Sequence, residues 1–319
     1  MTRQIIRSRS NPFSKGRVIT FMWKSLPSVA AAAALLFAPV LHASDIVYPG
    51  GGTLTQVVDG GGANTIITLA NLDTVIAAYT LSFYADNGTP MTLSTTAGTG
   101  SSLTGALPAH GSLIIQTNGG GATVISGYAV LTTGQFAQNS LGLVTSVGNQ
   151  IAGSAVFSLG LASGVFAQAS CPLDTGQDYI FMLPFDETGG ATSARTGVAL
   201  ANSVADGAAQ TNGANQTAYI NVSFFDDSGN AIPVPALQVP VEILPYGQHE
   251  SFMLDDKYPQ IIGKKGTAVF TGADSSGTNP YIIKVLGLRA TNTTFTSITP
   301  IVPCNPQVYN TGQYVGCGN

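Results

Sequence analysis

The chain contains nearly the same seven residues twice, as SFYADNG at residues 82–88 and as SFFDDSG at residues 223–229. In both places, residues that alternate between apolar and polar lead into an acidic turn that ends in glycine. This pattern predicts a β-hairpin, because glycine supplies the positive φ that a tight turn needs. The fold must therefore accommodate the same hairpin in two places, which predicts an internal duplication.

Six further pairs of segments match in the same order along the chain. They are DGGG (59–62) with DETGG (186–190), ITLAN (67–71) with VALAN (198–202), LPAHGSL (107–113) with LPYGQHESF (244–252), GYAVLT (127–132) with GTAVFT (266–271), SAVFSLG (154–160) with IKVLGLR (283–289), and FAQAS (166–170) with FTSIT (295–299). Chance similarity between strand-rich segments does not produce a colinear series. The spacing is also too long for a solenoid or a propeller blade, so each copy is interpreted as a whole domain.

The composition predicts an all-β fold. Only 9% of the residues are charged, and β-branched and aromatic residues alternate between clusters of Gly, Asn, Asp and Pro. Six or seven short strands in each copy, joined by tight turns, are typical of a sandwich. We therefore predict two tandem immunoglobulin-like antiparallel sandwiches, at residues 44–177 and 178–303, followed by a tail at 304–319. One short helical turn is expected at residues 255–258, and it cannot extend further because Pro259 ends it.

The N-terminus has the pattern of a secretory signal peptide at residues 1–43. Six basic residues and no acid precede or flank the apolar run SLPSVAAAAALLFAPVL, which ends in LHAS. Cleavage is expected after Ala43, which places the mature protein outside the cell, at the cell surface or in the periplasm. The alternative is a retained leader, and it is the only membrane contact that the sequence predicts.

Charge limits the classes of partner. Half of the twelve basic residues lie in the leader, so the remainder carries six basic residues against sixteen acidic ones. This balance argues against nucleic acid as a partner, because its phosphates require clustered Lys and Arg. A cell-surface protein or a polysaccharide is the expected partner class.

Three cysteines, Cys171, Cys304 and Cys317, would meet an oxidising environment after export. We predict a Cys304–Cys317 disulfide that closes the short tail, and a Cys171–Cys304 bridge between the copies is the alternative. A three-cysteine zinc site is not supported, since no CxxC pair or His at ligand spacing is present.

No catalytic residues are predicted. After the leader only His110 and His249 remain as candidate bases, and no GxSxG elbow surrounds a serine. Paired carboxylates could serve a glycoside hydrolase, so a hydrolase is not fully excluded. The pairs all fall at apparent turns, and they are Asp186–Glu187, Asp226–Asp227 and Asp255–Asp256.

Calcium is the only cofactor for which the sequence offers ligands. Asp226, Asp227 and Asn230 bring carboxylate and amide oxygens close together, as calcium prefers. The EF-hand spacing is absent, and a hairpin turn explains the same residues without a metal.

Exposed aromatics could bind sugars, and the candidates are Tyr84, Tyr128, Tyr246, Tyr258 and Tyr281. The function predicted is therefore a noncatalytic exported structural, adhesive or interaction protein. The alternative is a carbohydrate- or calcium-binding module of the cell exterior.

The order DGGG-x₄-ITLAN, SFYADNG, an LP turn, SGYAVL and GSAVF resembles a group of uncharacterised exported proteins of environmental bacteria. Their second copies are similar to LPFD-x₂-GG, GVALAN and SFFDDSG at residues 183–229. The resemblance covers most of residues 55–302 and implies a tandem sandwich. It implies no activity and no catalytic residues.

Overall fold

The computed structural model describes residues 51–134, 150–160, 166–189, 194–206, 216–235, 241–291 and 294–303. These residues form an all-β protein, as the composition predicts. The predicted leader and the predicted Cys304–Cys317 bridge lie outside the described residues. The strands are β1 Gly51–Asp59, β2 Asn64–Asn71, β3 Ala77–Ala85, β4 Leu93–Thr95, β5 Gly98–Gly100, β6 Ser102–Leu107, β7 Ser112–Gln116, β8 Ile125–Gly134, β9 Ile151–Gly160, β10 Phe166–Asp174, β11 Ile180–Asp186, β12 Arg195–Ala201, β13 Ala218–Asp226, β14 Ala231–Ile232, β15 Val241–Leu244, β16 His249–Met253, β17 Lys265–Ala273, β18 Lys284–Ala290 and β19 Phe295–Ile298.

One short α-helix, α1 (Leu254–Lys257), falls where a helical turn was predicted, and Pro259 follows it and opens a 3-10 turn at Pro259–Ile261. A second 3-10 turn covers Val204–Asp206. No helix in the described part of the chain is both long and apolar enough to span a bilayer.

The two halves of the chain repeat one order of strands. In the first half the antiparallel path is β6-β3-β8-β1-β10-β9-β2-β7. Side chains of β2 and β3 share one core, so this path folds back on itself as two layers. The second half has the layers β15-β13-β17-β11 and β16-β12-β18-β19, with β14 added to β13. Each strand of the second half thus takes the place of its counterpart in the first.

The strand register repeats as well. Ala77 of β3 pairs with Leu107 of β6, and Ala218 of β13 pairs with Leu244 of β15. Each pair lies at the end of the strand that leads into the LP turn, which is β6 in the first half and β15 in the second. The segments that resemble each other in sequence are therefore paired with equivalent partners in space.

The last two sequence matches are wrong in register. Ile67 pairs with Ala155 and its counterpart Val198 pairs with Gly287, so Ala155 corresponds to Gly287 rather than to Lys284. This shifts the match of β9 with β18 by three residues, and the match of β10 with β19 shifts by two. Strands built from small and apolar residues look alike at several registers, whereas the ladder hydrogen bonds select one.

The layer order agrees only in part with an immunoglobulin sandwich. There the second strand pairs with the fifth and the third with the sixth, and the first and seventh strands flank these pairs. Here β2 pairs with β7 and β3 with β8, which reproduces the two central pairs. The flanking strands have exchanged layers, because β1 pairs with β8 and β9 pairs with β2.

Each half ties its two layers together through the asparagine of its LAN motif. Asn71 is buried, and its Nδ2 donates to the carbonyl oxygens of Leu107 (3.1 Å) and Pro108 (2.9 Å). Asn202 is also buried and donates from Nδ2 to Leu244 O at 2.9 Å. Asn71 is the last residue of β2 and Asn202 directly follows β12, whereas Leu107 and Leu244 end strands of the other layer, so each asparagine links the ends of two layers.

The two halves share part of one core. Ala199, Leu286 and Leu288 belong to strands of the second half, yet they pack in the hydrophobic cluster of the first half. Val198 and Leu200, on the opposite face of β12, pack in the second core. Strand β12 is consequently buried on both faces, and both halves belong to one compact unit.

Candidate functional site

A buried group of charges, which we call the Lys284 cluster, lies where the two halves meet. It consists of Lys284 at the start of β18, Asp174 at the end of β10, and Asp206 at the end of the 3-10 turn. Lys284 Nζ lies 3.3 Å from Asp206 Oδ1 and 3.5 Å from Asp174 Oδ1, and it donates to the carbonyl oxygen of Gly176. Lys284 is 1% exposed and Asp206 is 7% exposed. The cluster therefore joins charges of both halves, and Lys284 and Asp206 are shielded from bulk water.

Burial dominates the electrostatics of these carboxyl groups. It raises the pKa of Asp206 to about 6, although the ammonium group of Lys284 acts in the opposite direction. Asp206 Oδ2 is buried and has no hydrogen-bond partner among the described residues. Burial also raises the pKa of neighbouring Asp178, and the charge of Asp174 adds to this increase. One cation thus faces several carboxyl groups, and the most buried of them gains its proton most readily.

Two clefts meet at Asp174. The smaller, of about 240 Å³, has Gly51, Asp206 and Lys284 in its wall. The larger, of about 400 Å³, has Cys171 and Phe181 in its wall. At this second cleft Ser170 of β10 and Ser297 of β19 are joined by a 2.7 Å hydrogen bond between their hydroxyl groups.

Cys171 has a free and buried thiol, and Cys304, its partner in the alternative bridge, lies outside the described residues. Burial raises the pKa of this thiol to about 12. Thiolate is the reactive form of cysteine, so Cys171 is an apolar core residue rather than a nucleophile.

The predicted calcium ligands take part in the hairpin turn. Asp226 Oδ1 accepts hydrogen bonds from the backbone N–H groups of Ser228 (2.9 Å) and Asn230 (2.8 Å), and Asn230 Nδ2 donates to Asp226 Oδ2 at 3.1 Å. Asp227 instead forms a 3.2 Å ion pair with Lys265. Within the described ranges, no group of three or more His, Cys, Asp or Glu side chains is placed to hold a metal ion. Calcium at Asp226, Asp227 and Asn230 stays a prediction.

The two histidines serve different parts of the fold. His110 lies in the LP turn of the first half with φ 57°, at the position that Gly247 (φ 83°) occupies in the second half. His249 is 3% exposed, and its Nδ1 lies 2.8 Å from Asp86 Oδ1. Its ring also stacks on Tyr128, with the ring centres 6.4 Å apart. His249 therefore joins the hairpin turn of the first half to the LP turn of the second.

The paired carboxylates differ in their partners and their burial. Asp255 and Asp256 both bind the guanidinium group of Arg195, with 2.8 Å from Nε to Asp255 Oδ2. Asp186 accepts the backbone N–H of Thr188 at 3.1 Å. Glu187 points inward instead and is 2% exposed.

Glu187 makes the stability of the fold depend on pH. Burial raises the pKa of Glu187 to about 7, in spite of the hydrogen bond that its Oε1 accepts from Thr196 N. The folded chain therefore holds a proton that the unfolded chain releases near the ordinary glutamate pKa, so the free energy of unfolding falls as pH rises from about 5 to 7. We expect Glu187→Gln to stabilise the protein at pH 8 by on the order of 2 kcal/mol and to have little effect at pH 5.

Thermal unfolding at several pH values measures this effect. Glu250→Gln is the control, because Glu250 is more than one-third exposed and lies 2.6 Å from Lys257 Nζ. The control variant should keep the pH dependence of the native chain. Equal effects of Glu187→Gln at pH 5 and pH 8 would contradict the assignment.

The candidate sugar-binding tyrosines are used in packing. Tyr128, Tyr258 and Tyr281 are at most 1% exposed. Tyr84 stacks on Tyr128, with 5.2 Å between ring centres, and the Tyr246 hydroxyl donates to Val204 O. No aromatic side chain belongs to the exposed large hydrophobic residues of the described segments. Tyr128, Tyr258 and Tyr281 are therefore core residues, Tyr84 and Tyr246 are half-buried, and sugar binding stays a prediction.

The sequence did not reveal the Lys284 cluster, whose members are separated by up to 110 positions. One local signal was present: Lys284 interrupts the apolar run YIIKVLGL, where a lysine must be buried with a partner. Comparison with protein-family models, curated protein sequences and solved structures finds no match to this chain. The site therefore has to be interpreted from its own chemistry.

Proposed function

We propose that the chain is a noncatalytic exported protein that serves a structural, adhesive or interaction role at the cell exterior, built from two tandem β-sandwiches with immunoglobulin-like central strand pairs. The shared core is the observation that carries this proposal. Ala199, Leu286 and Leu288 of the second half complete the core of the first. Domains joined by a small polar interface move against each other by default, whereas an apolar interface prevents this motion.

Polar contacts support the same function. The hydroxyl groups of Thr53 and Ser203, one from each half, are both buried and lie 2.6 Å apart. Asp86 accepts a hydrogen bond from His249 N at 3.0 Å through its carbonyl and binds the ring of His249 through its carboxylate. These directional contacts fix the orientation of one half on the other, so the pair behaves as one stiff body suited to bearing mechanical strain or presenting a fixed surface.

Cells with and without the chain provide the test. Protease treatment of intact cells should release peptides from both halves, and deletion should reduce attachment of the cells to surfaces or to each other. The chain with Leu286→Asp, which places a charge in the shared core, should fail to restore attachment. Ile262→Asp is the control, because Ile262 is 55% exposed.

Two results would contradict the proposal. One is turnover of glycosidase, esterase or peptidase substrates by the purified chain above a heat-denatured control. The other is protection of the chain from protease in intact cells. Retention of the purified chain on an immobilised polysaccharide would favour the carbohydrate-binding alternative.

A further inference from the structure

The Lys284 cluster holds an amine and a carboxyl group in contact, and this pair is far more buried than the Lys265–Asp227 pair. Lys284 Nζ and Asp206 Oδ1 are 3.3 Å apart, and the two side chains are 2% and 9% exposed. Lys265 and Asp227 lie at a similar distance, 3.2 Å, but their side chains are 58% and 57% exposed. The first pair is shielded from water and the second is not.

We propose that Lys284 and Asp206 condense to form an intramolecular isopeptide bond, with Asp174 as the proton acceptor. The bond would join β18 to the 3-10 turn that follows β12. It forms once in each molecule and needs no cofactor. The proposal stands independently of the function proposed above, since a cross-link of this kind is compatible with any role of the folded chain.

The step balances with the groups present. The Lys284 ammonium group gives one proton to the Asp174 carboxylate, and the neutral Nζ attacks Cγ of protonated Asp206. A bond forms between Nζ and Cγ, the bond from Cγ to the hydroxyl oxygen breaks, and the hydroxyl leaves with a second Nζ proton as water. The third proton stays on the new amide nitrogen. Nothing is oxidised or reduced.

Placement and burial favour this condensation. Two groups held in contact react as if at very high concentration, and exclusion of water removes the competing hydration of both. Burial raises the pKa of Asp206 to about 6, which makes its protonated form accessible near neutral pH. Asp206 Oδ2, which has no partner among the described residues, is the oxygen free to leave. The cleft of about 240 Å³ beside Lys284 and Asp206 provides an exit for the water.

Asp174 is better suited to accept the proton than to form the amide. It is farther from Nζ, at 3.5 Å, and its side chain is 23% exposed. Its Oδ1 also accepts the backbone N–H of Gly176 at 2.9 Å, which holds this carboxyl group in position beside the amine. The hydrogen bond from Nζ to Gly176 O holds the amine between the two carboxyl groups.

Peptide mapping of the purified full-length chain by tandem mass spectrometry tests the proposal directly. We expect one pair of peptides joined through Lys284 and Asp206 and lacking one water, together with resistance to trypsin at Lys284 after denaturation. Lys284→Arg keeps the positive charge and should give linear peptides. The Lys265–Asp227 pair is the internal control and should remain unlinked. In newly synthesised chains sampled over time, Asp174→Asn should slow formation of the link by on the order of 100-fold relative to the native sequence, as expected for loss of a proton acceptor.

A cooperatively folded native chain in which Lys284 is cleaved normally by trypsin, with no peptide lacking water, would overturn the proposal. A link from Lys284 to Asp174 would overturn the assignment of Asp206 as the acyl partner. Because both readouts use the native chain, they hold even where a variant fails to fold.

Discussion

Replacing Gly127 by alanine is expected to lower the free energy of unfolding by on the order of 3 kcal/mol or more. Gly127 lies in β8 opposite Ala85 of β3, and a Cβ atom there would come within 1.9 Å of the carbonyl oxygen of Tyr84. A backbone oxygen at this distance cannot move without separating two central strands. Gly266 is the equivalent residue of the second half, and its Cβ would meet the carbonyl oxygen of Phe225, also at 1.9 Å. Gly266→Ala should therefore have a similar effect.

Urea unfolding of the two variants measures both losses. Gly120→Ala is the matched control, because a Cβ at Gly120 has nothing within 4 Å. That variant should stay within about 0.5 kcal/mol of the native chain. A Gly127→Ala protein as stable as the control would show that the two strands do not approach as closely as described.

Replacing Asn202 by alanine should cost on the order of 3 kcal/mol. Its Nδ2 donates to Leu244 O and to Gln216 O, each at 2.9 Å, so alanine leaves carbonyl groups without this donor in a buried place. Asn71→Ala should have a similar effect, since Asn71 Nδ2 donates to three carbonyl oxygens of the first half. The loss is larger than that of a surface hydrogen bond because water cannot replace the donor.

Chemical unfolding again provides the measurement, and Asn87→Ala is the control. Asn87 lies at the exposed hairpin turn, where its Oδ1 accepts hydrogen bonds only from Thr89. A small effect at Asn71 together with a large one at Asn202 would show that the two asparagines are not equivalent.

The strands and the duplication could be predicted because both depend on patterns within short segments of the sequence. Alternation in SFYADNG and INVSFF determines which side chains face the core, and Gly88 and Gly229 adopt φ of 80° and 81° in the two hairpin turns. The LP turns also matched, even though His110 stands where the second half has glycine. Register in the last strands was not predicted, since apolar strands of similar composition allow several alignments.

The contact between the two halves could not be predicted from patterns within short segments. Only the run VALA in β12 hinted at it, because uninterrupted apolar residues are typical of a strand covered on both faces. The Lys284 cluster combines Asp174, Asp206 and Lys284 from distant segments, so only the fold brings it together. The burial of Tyr128 could not be predicted for a related reason: nothing near it in the sequence shows that His249 of the second half covers it.

The shared core also affects how well a further sandwich could pack against the first half. The second half contacts the first through Ala199 and Leu286, and the corresponding face of the first half carries Thr68 and Ser154, which are exposed. The contact is head-to-tail, and such contacts can continue indefinitely unless one end is capped. A further sandwich docked in the same way would bury two hydroxyl groups where the existing contact buries methyl groups. A further sandwich would therefore pack less favourably on this face of the first half than the equivalent face of the second half packs in the shared core.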